Sequence, residues 1–87
     1  MKDNAQLEDV RKEIRYNQTV APYLSQWKHV KSGDTYTVRM HVIIEATLQP
    51  AVVYYKPYAD SAETWVRPAS EFFDGRFERI HRKGEEL

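Results

Sequence analysis

Near the start of the chain the apolar residues Leu7, Val10 and Ile14 recur at intervals of three and four. That is the period of one helix face, so an amphipathic helix is predicted from Asp3 to about Tyr16, with Asp3 or Asn4 available as its cap. The remaining positions are charged: Glu8 stands four residues before Lys12, and Asp9 precedes Glu13. This surface belongs in water. Between Gln18 and Pro22 the helix should stop, because Thr19 and Val20 are β-branched and Ala21 precedes a proline that pushes it out of the helical region.

Past this boundary the period changes to two. From Thr35 to Ile44 the residues Tyr36, Val38, Met40, Val42 and Ile44 alternate with Thr37, Arg39, His41 and Ile43, the pattern of a half-buried strand. Ala51 to Tyr55 is a second strand rich in β-branched and aromatic residues, reached through a turn near Glu45 to Pro50. A third runs from Thr64 to Arg67 and is stopped by Pro68, which cannot donate to a sheet ladder. Trp27 to Val30 can form a short edge strand, joined to the long one by the turn Lys31-Ser32-Gly33-Asp34. After Pro68, Ala69 to Phe73 suits a single helical turn. Asp74-Gly75 then turns the chain into a last strand, Arg76 to Ile80. The segments expected are a helix over 1–18, a β domain over 19–82 and a frayed tail over 83–87 with no apolar pattern.

With 87 residues the chain is one domain with a small core. Such a core supports a binding face more readily than a deep pocket with convergent polar groups. Thirteen basic and thirteen acidic side chains cancel, so no overall field draws the chain to phosphate or anionic lipid. No apolar run reaches the roughly 20 residues of a membrane span and no signal-peptide core is visible, which predicts a cytoplasmic protein. The absence of cysteine excludes a disulfide frame, a thiolate nucleophile and a cysteine-based zinc site.

Trp65 to Phe77 reads Trp-Val-Arg-Pro-Ala-Ser-Glu-Phe-Phe-Asp-Gly-Arg-Phe. Together with Trp27-Lys28-His29, Lys31, Gly33, Tyr36-Thr37-Val38 and Val52-Val53-Tyr54, it resembles a small bacterial and phage family known as domain of unknown function 1653. The likeness covers about Trp27 to Ile80 and omits the N-terminal helix. It implies a small SH3-like barrel, and the strand count agrees: five short strands with a helical turn before the last. The expected fold is therefore mainly β, a five-stranded SH3-like barrel preceded by an α-helix. The resemblance implies no activity and supplies no catalytic residues.

No chemistry-bearing motif stands out. His29, His41 and His81 fall on different elements, with no second histidine or carboxylate at metal-ligand spacing, and phosphate loops and nucleophile elbows are absent. No metal or other cofactor is expected. His41 alternates with the apolar positions and is placed on the solvent side; His29 either holds the first strand by a hydrogen bond or binds a ligand. Glu71 and Asp74 could form an acid–base pair, but a helical turn and the Asp-Gly turn account for them. Gly33 and Gly75 are read as turn residues. Lys28, Lys31 and Arg39, with His29 and His41, make a modestly basic stretch that also suits a solvated strand edge.

The aromatics carry the functional reading. Alternation forbids Tyr54 and Tyr55 from both facing inward, and likewise Trp65 and Val66, so at least one ring should reach the surface. Trp65 and Arg67, two residues apart, share a face, with Trp65 expected inward and Arg67 at the rim or paired with Glu71 or Asp74. The candidate binding residues are Trp65, Arg67, Tyr55, Tyr58, Arg39 and Lys31. An exposed ring beside an arginine can receive a base, a proline or a methylated amine. The expected function is a non-catalytic binding module for an unidentified protein partner. Single-stranded nucleic acid or nucleotide binding is the alternative, with Trp65, Tyr55 or Tyr58 stacking and Lys31, Arg39 and Arg67 on phosphate. An enzyme using Glu71, Asp74 or a histidine is the third and weakest reading. The stripe Leu7, Val10, Ile14 needs a burial site, either on the chain's own β domain or in a homodimer.

Overall fold

A computed structural model describes residues 4–57 and 63–81. Helix α1 spans Asn4–Val20, strands β1 Gln26–His29, β2 Thr35–Ile44, β3 Gln49–Tyr55 and β4 Thr64–Pro68, the short helix α2 Ala69–Phe72, and strand β5 Phe77–Ile80. The elements are those the pattern predicts, with shifted ends: β1 lies one residue earlier, β4 takes in Pro68, which pairs with Ala51 where the pattern stopped the strand, β5 starts at Phe77, and two elements are longer. Helix α1 runs on to Val20, and the Thr19 hydroxyl back-bonds to the Tyr16 carbonyl at 2.6 Å. Strand β3 takes in Gln49 and Pro50. The tail 83–87 lies outside the described residues.

All five strands pair antiparallel in a single sheet, ordered β4-β3-β2-β1-β5. The sheet is open: β4 and β5 are its edges and do not pair with each other among the described residues. The closure expected of an SH3-like barrel is not established. Helix α2 links the two edge strands and packs on β3 and β4.

A bulge divides β2. Val38 pairs with Tyr54 and Met40 with Val53, which leaves Arg39 as an extra residue on its strand. An extra residue reverses which side chains face the core from that point on. Tyr36 and Val38 stand on the core face, as alternation predicts. Beyond the bulge, Met40 turns outward and is 49% exposed, whereas His41 pairs with the buried Val52 and lies half-buried. The placement of His41 in solvent is thus corrected: its Nε2–H donates to the Ala21 carbonyl at 2.7 Å.

The main core cluster lies on one face of the sheet, and Ala51 and Val53, on the other face of β3, are buried as well. In the main cluster, Trp27, Val38, Val52, Tyr54, Phe72 and Phe77 pack with Ala21 and Ala69. Phe72 and Phe77 stack at 4.5 Å, and Trp27 meets Phe72 edge-on at 5.1 Å. The Trp27 indole N–H donates to the Ser25 hydroxyl at 3.0 Å, so its burial strands no polar group. Helix α1 packs on β2 and β3, with Val10 buried and Leu7 and Ile14 half-buried. Its apolar stripe is used within the chain. At its C-terminal end, where backbone carbonyls lack helical partners, the Val20 carbonyl accepts from Arg79 at 3.3 Å and the Ala21 carbonyl from His41.

Candidate functional site

Residues facing each other across an antiparallel pair project to one side of the sheet. Trp65 faces Tyr54 and Arg67 faces Val52, so both β4 side chains stand on the core face; His29 and Phe77 face each other in the same way across β1 and β5. On that face, toward the turn between β1 and β2, a cavity of about 290 Å³ opens between the strands. Tyr36, Tyr54, Trp65 and Phe77 form its aromatic lining, and His29, Ser32, Asp34 and Arg67 the polar remainder. The rings are set rigidly. Tyr54 lies 5.3 Å from Tyr36 and 5.4 Å from Phe77, in edge-to-face geometry.

Trp65 is on the core face yet is 47% exposed. The inward orientation is therefore right and the burial is not, because an edge strand has a neighbour on one side only. Arg67 is held more tightly, with a side chain 29% exposed. Its Nε donates to the Tyr54 hydroxyl at 3.4 Å and its Nη1 to Glu71 Oε1 at 3.2 Å, and its guanidinium lies 5.9 Å from the Phe77 ring centre. The hydrogen bond that Arg67 donates to the Tyr54 oxygen, opposed by burial and aided by the charges of Glu71 and Asp74, raises the Arg67 pKa above its ordinary value. Arg67 remains a cation throughout the physiological range.

Glu71 also accepts from Arg76 at 3.4 Å, and Arg76 Nε lies 3.0 Å from Asp74 Oδ2. Asp74 further accepts from the Arg76 backbone N–H, closing the turn in which Gly75 takes a φ of +106°. Glu71 and Asp74 thus pair with arginines and not with each other.

His29 is oriented by the turn that follows it. Ser32 offers both its backbone N–H and its hydroxyl to His29 Nδ1, at 3.3 and 2.9 Å, so the neutral ring carries its proton on Nε2. The ring thus holds the turn after β1 through exposed hydrogen bonds, in place of the buried bond to the first strand that was expected, and it lines the cavity. Next to the first cavity lies a second, of about 520 Å³, lined by His29, Val30, Lys31, Arg67 and Arg76.

Three of the six sequence candidates gather on this side: Trp65 and Arg67 at the aromatic cavity and Lys31 at its neighbour. Arg39 and Tyr55 lie on the opposite face, with the guanidinium 4.6 Å from the ring centre, as a separate pair. Tyr58 lies outside the described residues. The basic stretch is not assembled, since Lys28 and Arg39 do not line the cavities that hold His29 and Lys31. Reading the sequence missed Arg76, Tyr36 and Asp34 as site residues. Arg76 arrives through the Asp74-Gly75 turn, which no spacing in the sequence announces. Among the described residues no group of three metal-ligating side chains comes together, and no helix is long and apolar enough to cross a membrane.

Fold and cleft define a small mainly-β protein: one open five-stranded antiparallel sheet with an N-terminal helix and an aromatic cleft on the core face. The chain belongs to the family described as "Protein of unknown function (DUF1653)", which matches residues 25–86. Helix α1 lies outside the matched span. No curated protein and no solved structure matches the chain.

Proposed function

We propose that the protein is a non-catalytic binding module that takes a segment of a protein partner in the cleft between β4 and the β1–β2 turn. The observation that carries this reading is Trp65, a large ring left 47% exposed beside the anchored Arg67 and above a floor of fixed aromatics. Tryptophan, tyrosine and arginine dominate binding hot spots, and rings that are already ordered lose little entropy when covered. The strand order, with a helical turn before the last strand, also suits the SH3-like barrel implied by the family resemblance, and such barrels bind through shallow aromatic surfaces; that step is fold-level analogy. A cytoplasmic setting in a bacterium or phage goes with this reading.

Nucleic acid is less well supported. The chain has no net charge, and the two arginines beside the cleft are engaged by Glu71 and Asp74. The test is affinity capture with the wild-type chain and with Trp65→Ala and Arg67→Ala, followed by titration of the purified captured protein. Folded variants should lose at least about tenfold in affinity, the range of a hot-spot residue. Equal retention by both variants would remove the cleft from the function. Salt-reversible quenching of tryptophan emission by an oligonucleotide would transfer it to nucleic acid.

A further inference from the structure

We propose that the bound segment is acidic, with one carboxylate next to an aromatic, proline or large aliphatic residue. The apolar group enters the cleft beside Trp65 and the carboxylate passes between His29 and Arg67 into the neighbouring cavity. This inference rests on the reading of the cleft as a peptide site and adds the chemistry of its ligand.

His29 and Arg67 line both cavities, so the two adjoin and share these side chains as their common wall. On the Trp65 side the lining is largely aromatic, and its one carboxylate, Asp34, pairs with Lys56 at 3.2 Å. The other side is lined by Lys31, Arg67 and Arg76 and, among the described residues, by no carboxylate. At the wall, Ser32 occupies His29 Nδ1, which leaves Nε2–H as a donor without a protein partner among the described residues. A ligand carboxylate accepts from such a donor; a ligand ammonium does not.

The charge balance sets how much negative charge the site takes. Glu71 and Asp74 answer the two arginines, whereas Lys31 makes no ion pair among the described residues. One uncompensated cation with one free imidazole donor suits a single carboxylate. A run of phosphates would meet Asp34, Glu71 and Asp74 around the same cleft, so the complementarity favours an acidic peptide over nucleic acid.

The experiment is selection from a random-peptide display library on the immobilised full chain, followed by titration of a synthetic enriched peptide and of its isostere with the carboxylate converted to an amide. Enrichment of Asp or Glu within two positions of an aromatic, proline or leucine residue is expected. The amide isostere should bind about tenfold more weakly, the scale of one charge-assisted hydrogen bond. Lys31→Glu should weaken the acidic peptide by about the same factor, leave the amide peptide unchanged and leave the melting temperature unchanged. If enriched peptides are neutral or basic, or if the amide binds equally well while tryptophan emission still responds, the acidic inference fails and the peptide site stands. If nothing is enriched, the peptide site itself fails and takes the inference with it. Oligothymidylate binding more tightly than any peptide would also overturn it.

Discussion

Trp27 and Trp65 stand on the same face of one sheet, yet Trp27 is 5% exposed and Trp65 is 47% exposed. Hydrophobicity cannot separate them, since the side chains are identical. Position in the sheet does. Trp27 sits on β1, flanked by β2 and β5, and is covered by Phe72 and Phe73. Trp65 sits on the edge strand β4, whose only sheet neighbour among the described residues is β3. The core face therefore has a sealed region that holds the fold and an open region that offers an ordered ring to solvent.

The sharpest way to break this division is to empty the sealed region. Phe72 is fully buried between Trp27, Tyr54 and Phe77, and Phe72→Ala should cost about 3–5 kcal/mol in denaturant unfolding, the usual range for deleting a core phenylalanine. A loss below about 1 kcal/mol would mean that this core can collapse around the gap. Next is the cover supplied by the end of α1, where Val20 and the following Ala21 reach the Trp27 cluster. His41→Ala removes the donor to the Ala21 carbonyl and should cost about 1–2 kcal/mol. In a Trp65→Phe background, the emission of Trp27 should shift to the red; unchanged emission would show that the helix end holds without this bond.

A smaller effect is expected at the boundary between the regions. Arg67→Ala loses the part-buried bonds to Tyr54 and Glu71, and the stability loss should be about 1 kcal/mol. A much larger loss would make Arg67 part of the sealed region. Last is Trp65→Ala, for which we expect less than about 1 kcal/mol, since a half-exposed ring on an edge strand contributes little to folding. Acrylamide should then quench the variant far less than the wild type, because Trp27 alone remains. Equal quenching would show that Trp27 is open to solvent too.

The sealed region was legible in part: alternation puts Tyr36 and Val38 on one face, while for Tyr54 and Tyr55 it says only that they face apart. The bulge was not. Arg39 looks like an ordinary outward residue, and only the pairing of Val38 with Tyr54 and Met40 with Val53 reveals it as extra. That single residue moved His41 from the expected solvent side to a bond with Ala21. Sheet closure was also beyond reach, since strand count is the same for open and closed sheets. Within the site, Trp65 and Arg67 were readable as a pair from their spacing. Lys31 and Arg76 come beside them through the turn after β1 and the turn after α2, and turn geometry brings distant residues together without a period.

The strand order has a consequence for how the chain assembles. β1, β2, β3 and β4 pair with their neighbours in sequence, whereas β5 must return across the whole span to meet β1. Long closures lose more chain entropy before any contact rewards them. The β2–β3–β4 meander can therefore form early, with β1–β5 pairing late. His29 is on β1 and Phe77 on β5, facing each other across that late pairing. During synthesis, the cleft has no completed wall until β5 has left the ribosome, so a partner that recognises the cleft can engage only a chain whose folding is finished.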